Sequence, residues 1–119
     1  NLIINADKEA VSEAIINLLD NAIKYSNNDK KIFVSTGEEN ETVYVKIEDQ
    51  GIGIKPENQK YIFDKFYRVS DGSTFSTKGS GLGLSLVQHI MDSHDGSVVV
   101  DSTPGKGSMF KLVFKKEKE

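Results

Sequence analysis

The chain has 119 residues, a formal net charge of −3 and no cysteine. A chain of this length can bury one hydrophobic core without disulfides, so we expect a single domain over 1–119 in a reducing compartment. The acidic balance argues against nucleic-acid binding, which needs clustered Lys and Arg. No apolar run reaches membrane length, and we expect neither a membrane span nor a signal peptide in this sequence. It begins with Asn rather than Met, so we expect part of a longer protein.

The hydrophobic periodicity predicts helices and strands that follow one another along the chain. The predicted elements are a helix at 7–26, strands at 31–36 and 42–49, helical turns at 56–68, a helix at 81–95 and strands at 98–101 and 109–114. Asp7 is the expected N-cap of the first helix, and Gly96 is expected to end the second long helix at a C′-like position. Residues 69–80 lack periodicity and predict a loop, and the mixed-charge tail 115–119 predicts a solvated end. This order indicates a helical layer on a mostly antiparallel sheet.

One stripe of the first helix carries polar side chains that need an explanation. Glu13, Asn17, Asn21 and Lys24 fall at i, i+4, i+8 and i+11, beside the apolar face, so the edge of this stripe is expected to be half-buried. A solvated face is the plain interpretation. Asparagine is nevertheless a poor residue for a helix interior, which favours amide oxygens aimed at a specific partner. Mg²⁺ is one such partner, because it takes few protein oxygens and keeps water and phosphate ligands.

The strand at 42–49 ends in a carboxylate that shares a face with apolar residues. Val43, Val45, Ile47 and Asp49 have the same parity, so Asp49 is predicted to point toward the core. A carboxylate there needs donors, and a hydrogen bond to a nearby turn would be a sufficient structural reason. The glycines of GIG (51–53) favour a second interpretation, in which the backbone approaches a flat heterocycle and the carboxylate accepts from its exocyclic amine.

Two further segments suggest phosphate chemistry. In FDKFYR (63–68) the aromatic residues can simply anchor a loop, and Arg68 can be a surface charge or a guanidinium that neutralises a transferring phosphoryl group. In KGSGLGL (78–84) the glycines begin a helix whose exposed N–H groups and dipole suit an anion. As a motif this run is weak, and it is not a GxxxxGK[ST] P-loop.

The order of these motifs resembles the catalytic ATP-binding domain of sensor histidine kinases, within the Bergerat-fold (GHKL) ATPases. INLLDNAIKYS (16–26) is similar to the N box of that family, EDQGIGI (48–54) to its G1 box, IFDKFYR (62–68) to its F box and GSGLGL (79–84) to its G2 box. The resemblance runs from about residue 5 to 114. It implies an α+β fold, a two-layer α/β sandwich with helices on one face of a mixed, mostly antiparallel sheet. It also implies a flexible ATP lid at 69–80.

The resemblance also implies roles for individual residues. Asn21 would bind Mg²⁺, Asp49 would accept from the adenine amine, and Arg68 would face the γ-phosphate, with Asn17 and Lys24 assisting at the phosphates as catalytic residues. The full set of implied nucleotide contacts is Asn17, Asn21, Lys24, Tyr25, Asp49, Gly51, Gly53, Ile54, Tyr67, Arg68, Lys78, Gly79, Ser80, Gly81, Leu82 and Gly83. Three positions depart from the usual family residues without touching the inferred metal or adenine contacts, namely Gln50, Lys55 and Asp95.

The implied function is transfer of the γ-phosphate of Mg-ATP to a histidine outside this chain. Hydrolytic relatives carry a Glu one helical turn before the metal-binding Asn, whereas this chain has Asn17, which cannot take a proton from water. His89 and His94 lack the context of a phosphoacceptor and are expected to be structural or surface residues. An anti-sigma-type serine kinase and a degenerate nucleotide-binding interaction module are the alternatives.

The expected partner is the dimerisation and phosphoacceptor domain of the parent two-component kinase, with a response regulator engaged indirectly. The isolated domain is expected to be a cytoplasmic monomer that contacts neither nucleic acid nor membrane, although the parent can be anchored in the inner membrane.

Overall fold

The computed structural model describes residues 4–26, 31–64 and 83–117. These ranges contain helices α1 (Lys8–Tyr25), α2 (Pro56–Gln59) and α3 (Gly83–Ser93) and strands β1 (Ile32–Glu39), β2 (Thr42–Asp49), β3 (Ser97–Thr103) and β4 (Gly107–Lys115). Every helix and strand of the sequence prediction has a counterpart here. No helix in the described ranges is both long enough and apolar enough to cross a bilayer.

The four strands form one sheet in the order β1-β2-β4-β3, and all three pairings are antiparallel. The parallel pairing that a mixed sheet requires does not occur among the described strands. Helices α1 and α3 pack against each other and against one face of the sheet. The core between the two layers consists of Ala14, Leu18, Ala22, Ile47, Ile62, Val87, Ile90, Met91, Phe110, Leu112 and Phe114. The molecule is therefore an α+β sandwich of two layers, as predicted.

Helix α1 begins where the sequence predicts. The Asp7 carboxylate accepts hydrogen bonds from the N–H groups of Glu9 (3.0 Å) and Ala10 (3.2 Å), which satisfies two donors of the first turn. The Asp7 N–H in turn donates to Nε2 of His94 at 3.0 Å, while Nδ1 of that ring lies 2.8 Å from the Ile90 carbonyl oxygen. His94 thus joins the start of α1 to the end of α3, a structural role, whereas His89 is exposed.

Strand β1 continues three residues beyond its predicted end at residue 36. The two-residue turn is formed by Asn40 and Glu41, with Asn40 at φ 55°, and Gly37 lies within the strand rather than in the turn. The ring of Tyr44, the cross-strand partner of Gly37, lies over this glycine so closely that a Cβ there would be 2.5 Å from its Oη. An aromatic partner of this kind compensates for a glycine in a strand, a long-range effect that local propensity does not contain.

Helix α3 ends at Ser93, and its left-handed C′ position falls one residue before the predicted glycine. Asp95, at φ 55°, takes the left-handed C′ position, and the Gly96 N–H donates to the Met91 carbonyl at 2.9 Å. These are the features of a Schellman motif, with glycine one position beyond its usual place.

Replacing Asp95 with glycine should therefore stabilise the domain. Because a left-handed conformation costs a residue with a Cβ about 1 kcal/mol, we expect Asp95→Gly to raise the free energy of unfolding by roughly 0.5 kcal/mol after the extra entropy of the unfolded chain is subtracted. Urea unfolding measures the change. Asp92→Gly removes the same charge inside the helix and should instead lower stability by about 1 kcal/mol. Equal effects of the two variants would contradict the assignment.

Candidate functional site

Asp49 ends β2 on the face of the sheet that the helices cover. It is 8% exposed, and no other charged side chain in the described ranges is buried. The Gly51 N–H donates to its Oδ1 at 2.9 Å. Burial raises the pKa of the Asp49 carboxyl, and hydrogen bonds from the backbone N–H groups of Gly51 and Ser108 act in the opposite direction. A carboxylate has about four acceptor positions, so two backbone donors leave capacity for another donor.

The glycines after Asp49 approach protein backbone on both sides. A Cβ on Gly51 would lie 1.9 Å from the carbonyl oxygen of Tyr25, the last residue of α1, and the Ile52 N–H donates to that oxygen at 3.1 Å. Gly53 has φ 72°, and a Cβ there would lie 2.2 Å from the carbonyl oxygen of Thr103. The close approach inferred from the sequence is therefore present. Its partners in the described chain are α1 and the β3–β4 turn, so the fold alone accounts for both glycines.

Residues 51–54, which we call the G1 loop, are also held from the side of the β3–β4 turn. The Gly105 N–H donates to the Ile52 carbonyl at 2.7 Å, and the Ile54 N–H donates to the Ser102 hydroxyl at 2.7 Å. The side chain of Gln59, in α2, donates to the Ile54 carbonyl at 2.9 Å. The G1 loop is thus clamped between the end of α1, α2 and the hairpin.

Ser102 and Ser108 belong to this site, although the sequence interpretation did not single them out. Ser108 pairs with Asp49 across β2 and β4, and Ser102 pairs with Ser108 across β4 and β3. A signal for Ser102 was present, because it has the same parity as Val98 and Val100 and so continues an apolar face, as Asp49 does on β2. Of Ser102 and Asp49, the sequence interpretation assigned a site role to Asp49 alone, because a buried charge is more costly than a buried hydroxyl.

The polar stripe of α1 lies where the helical periodicity predicts. Asn17 and Asn21 are half-buried, and Glu13 and Lys24 are exposed. The Asn17 Nδ2 donates to the Glu13 carbonyl at 2.9 Å, which fixes the orientation of the amide. Its Oδ1 lies only 3.1 Å from the position that a Cβ on Gly83 would occupy. The amide oxygen of Asn17 therefore faces the first residue of α3.

Helix α1 connects the two halves of the candidate site. Asn17 lies beside the start of α3, and Tyr25 lies beside the G1 loop. The eight residues between these positions rise about 12 Å along the helix axis, a separation that an extended nucleotide can bridge. Asn21 and Lys24 occupy the same polar side of α1 between these two contacts.

Several predicted site residues lie outside the described ranges. These are Tyr67, Arg68, Lys78, Gly79, Ser80, Gly81 and Leu82, together with the predicted lid at 69–80. Their assignments stay predictions. From the same aromatic segment, Phe63 is described, and its ring meets that of Phe110 edge-on with centroids 6.4 Å apart. This contact is the anchoring role expected of an aromatic residue before a loop.

The sequence of this chain matches the family of histidine kinase-, DNA gyrase B- and HSP90-like ATPases over residues 6–118. The signal transduction histidine-protein kinase ArlS of Staphylococcus aureus (strain USA300) is 41% identical over 114 residues, which are 96% of this chain and 25% of ArlS. The mycobacterial sensor histidine kinase MprB superposes with a TM-score of 0.86 at 28% identity, over 98% of this chain and 78% of that structure. Full-length ShkA has a TM-score of 0.83 at 23% identity, over 100% of this chain and 24% of its own, a likeness of fold alone.

The chain belongs to the family of histidine kinase-, DNA gyrase B- and HSP90-like ATPases. Within that family it is similar to sensor histidine kinases, which confirms the predicted resemblance to their catalytic ATP-binding domain and the predicted Bergerat-type sandwich. The chain spans about a quarter of the length of ArlS.

Proposed function

We propose that this domain binds Mg-ATP and donates the γ-phosphate to a histidine on a separate dimerisation and phosphoacceptor domain of a two-component sensor kinase. The observation that carries the proposal is a buried carboxylate, Asp49, directly before a G1 loop that contacts the C-terminal end of α1, while Asn17 of the same helix faces the start of α3. Membership of an ATPase family and similarity to named histidine kinases support it. ShkA, which shares the fold, was crystallised in complex with AMPPNP.

At the adenine end, Asp49 would accept a hydrogen bond from the exocyclic amine of the base. The backbone of Gly51, Gly53 and Ile54 would form the floor under the ring, and Tyr25 would pack near the base or ribose. Guanine carries an oxygen where adenine carries this amine, so a carboxylate facing it would meet an acceptor and bind it poorly. This end of the site therefore selects the base.

At the phosphate end, Mg²⁺ would be held by a protein amide oxygen together with the phosphates of ATP. The described ranges contain no group of three His, Cys, Asp or Glu residues that could hold a metal. Asn21 would hold the ion through its amide oxygen, a hard neutral ligand, and phosphate and water oxygens would supply the remaining ligands. The ion would neutralise charge on the phosphates. Asn17, Lys24 and the backbone N–H groups of the predicted glycine-rich segment 79–83 would hold the phosphates in place.

The geometry of Asn17 favours transfer over hydrolysis. Its Nδ2 is committed to the Glu13 carbonyl, and an amide oxygen cannot accept a proton from water at neutral pH. Water would thus lack a general base at this position, and the γ-phosphate would be kept for the acceptor histidine. Catalysis would consist mainly of positioning and of charge neutralisation, to which Arg68, and Tyr67 beside it, would contribute.

The direct test is titration calorimetry of this chain with ATP and with GTP, each with Mg²⁺. We expect micromolar-range ATP binding, much weaker GTP binding and no steady turnover by the isolated domain. Arg68 is the single arginine of the chain. Because no other guanidinium can take its place, replacement by alanine should abolish phosphate transfer to an added phosphoacceptor domain. ATP binding should stay intact.

Lys60→Ala, which removes an exposed cation elsewhere, is the matched control and should transfer normally. Steady ATP hydrolysis at an ordinary enzymatic rate would contradict the kinase assignment. Normal transfer by Arg68→Ala would show that the carry-over of this residue is wrong.

In the parent protein this domain would work in the cytoplasm beside the phosphoacceptor helices, and a response regulator would take the phosphate from the histidine afterwards. The similarity to sensor kinases supports this setting.

A further inference from the structure

The Ser102 hydroxyl on β3 uses its whole hydrogen-bonding capacity within the site. It accepts from the Ile54 N–H at 2.7 Å, donates to the Gly107 carbonyl at 3.1 Å and lies 2.8 Å from the Ser108 hydroxyl. A serine hydroxyl has one proton and two acceptor positions. Since the Ser102 proton is directed to Gly107, the Ser108 hydroxyl must be the donor in the serine pair.

These bonds place Ser102 between the G1 loop and the support of the buried carboxylate. On one side, Ser102 holds the loop at Ile54. On the other, it contacts both Gly107 and Ser108 at the start of β4, and the Ser108 backbone N–H donates to the Asp49 carboxylate. A Cβ on Gly107 would lie 2.0 Å from the Asp49 carbonyl oxygen, so this part of β4 is in tight contact with the end of β2.

Base recognition needs both parts of this arrangement at a fixed separation. The floor formed by the G1 loop determines where the ring lies, and Asp49 determines which edge of the ring is accepted. The Gln59 side chain also links the loop to β3, since it donates to the carbonyls of both Ile54 (2.9 Å) and Ser102 (3.2 Å). Loss of the Ser102 hydroxyl would therefore loosen the loop without releasing it.

We propose that Ser102 is a positioning residue for base selection, because its hydroxyl holds the G1 loop in register with Asp49 so that the carboxylate meets the adenine amine. The proposal rests on the proposed function, since it deepens the account of the same site. Ser102 itself does not touch the base. Its effect should accordingly appear in the discrimination between bases and not only in overall affinity.

The test compares ATP with inosine triphosphate, which has the same triphosphate but carries an oxygen in place of the adenine amine. In the unsubstituted domain we expect ATP to bind at least about tenfold more tightly than inosine triphosphate. The carboxylate faces a donor in ATP but an acceptor in inosine triphosphate. In Ser102→Ala the Ile54 N–H loses its partner, and we expect the ratio of the two dissociation constants to fall by about threefold to tenfold. Ser102→Thr keeps the hydroxyl and should restore the ratio.

Ser97→Ala, an exposed serine on the same strand, is the matched control and should leave the ratio unchanged. A merely structural role for Ser102 would lower the affinities for both nucleotides by the same factor, and a constant ratio would therefore overturn the proposal. If Ser102→Ala does not fold, Ser102→Cys supplies the same comparison, because a thiol keeps most of the volume but accepts hydrogen bonds only weakly. If the unsubstituted domain did not bind ATP, the proposed function itself would be overturned, and this inference with it.

Discussion

Asp49→Asn is expected to weaken ATP binding by about 10- to 100-fold, because it replaces a charged acceptor with an amide. In the structure, the Gly51 N–H donates to Oδ1 of Asp49. Asparagine keeps one oxygen, so it can still accept this hydrogen bond. The second carboxylate oxygen would be replaced by an NH₂ group. This group and the adenine amine are both donors, so no hydrogen bond could form between them. Titration with ATP measures the loss, and inosine triphosphate should be weakened much less, since its oxygen can accept from the new amide.

The same substitution should stabilise the domain without nucleotide at neutral pH. Burial raises the pKa of Asp49, so the folded state holds this proton more tightly than the unfolded state does. The stability contributed by the group is therefore fully present below the ordinary carboxyl pKa and is lost as the pH rises through the raised value. Asparagine has no charge to desolvate, so Asp49→Asn should gain roughly 0.5–2 kcal/mol at neutral pH. The gain should disappear in acid.

Urea unfolding of both proteins at several pH values measures this difference. Asp101→Asn changes an exposed carboxylate on the same sheet and should alter neither stability nor affinity appreciably. An Asp49→Asn protein that binds ATP as tightly as the parent would refute the adenine contact. A stability gain that grows as the pH falls would refute the burial argument independently.

Gly51→Ala should destabilise the domain by roughly 3 kcal/mol or more, because its new methyl group has no space. That methyl would lie 1.9 Å from the Tyr25 carbonyl oxygen and 2.8 Å from the Cα of Ser26, both backbone atoms that cannot turn aside like a side chain. Either α1 or the G1 loop must shift. The bond from the Ile52 N–H to Tyr25 would then weaken, together with the bond from the Gly51 N–H to Asp49.

Gly105→Ala separates this steric effect from the general cost of replacing a loop glycine. Gly105 has φ 81° but nothing within 4 Å of the position of a new Cβ, so only the backbone strain of about 1 kcal/mol is expected. Urea unfolding under the same conditions compares the two variants. If Gly51→Ala were no more destabilising than Gly105→Ala, the contact between the G1 loop and α1 would not have the importance assigned to it.

Much of this fold follows from local patterns in the sequence. The half-buried positions of Asn17 and Asn21 and the inward direction of Asp49 were predictable, because periods of 3.6 and 2 residues follow from the backbone dihedral angles themselves. The N-cap at Asp7 was predictable from its residue type, since a short carboxylate can accept from the free N–H groups of the first turn. Two predictions of local structure were wrong, namely the end of strand β1 and the C′ position of α3. Strand β1 extends past its predicted end at residue 36 to include Gly37, whose missing side chain is compensated by the ring of Tyr44. Asp95 takes the left-handed position that is predicted for Gly96.

The sequence by itself determined which way each side chain turns within its own element, and the order of its motifs indicated a nucleotide site. The tertiary structure alone decided which of these side chains meet. The row that joins Asp49, Ser108 and Ser102 exists because two strand pairings adopt one particular register. The contacts of Gly51 with Tyr25 and of Asn17 with Gly83 likewise depend on how α1 lies on the rest of the chain. Alternation is a property of a single strand, whereas register and helix placement result from turn geometry and the packing of the whole core, so no short stretch of sequence contains them.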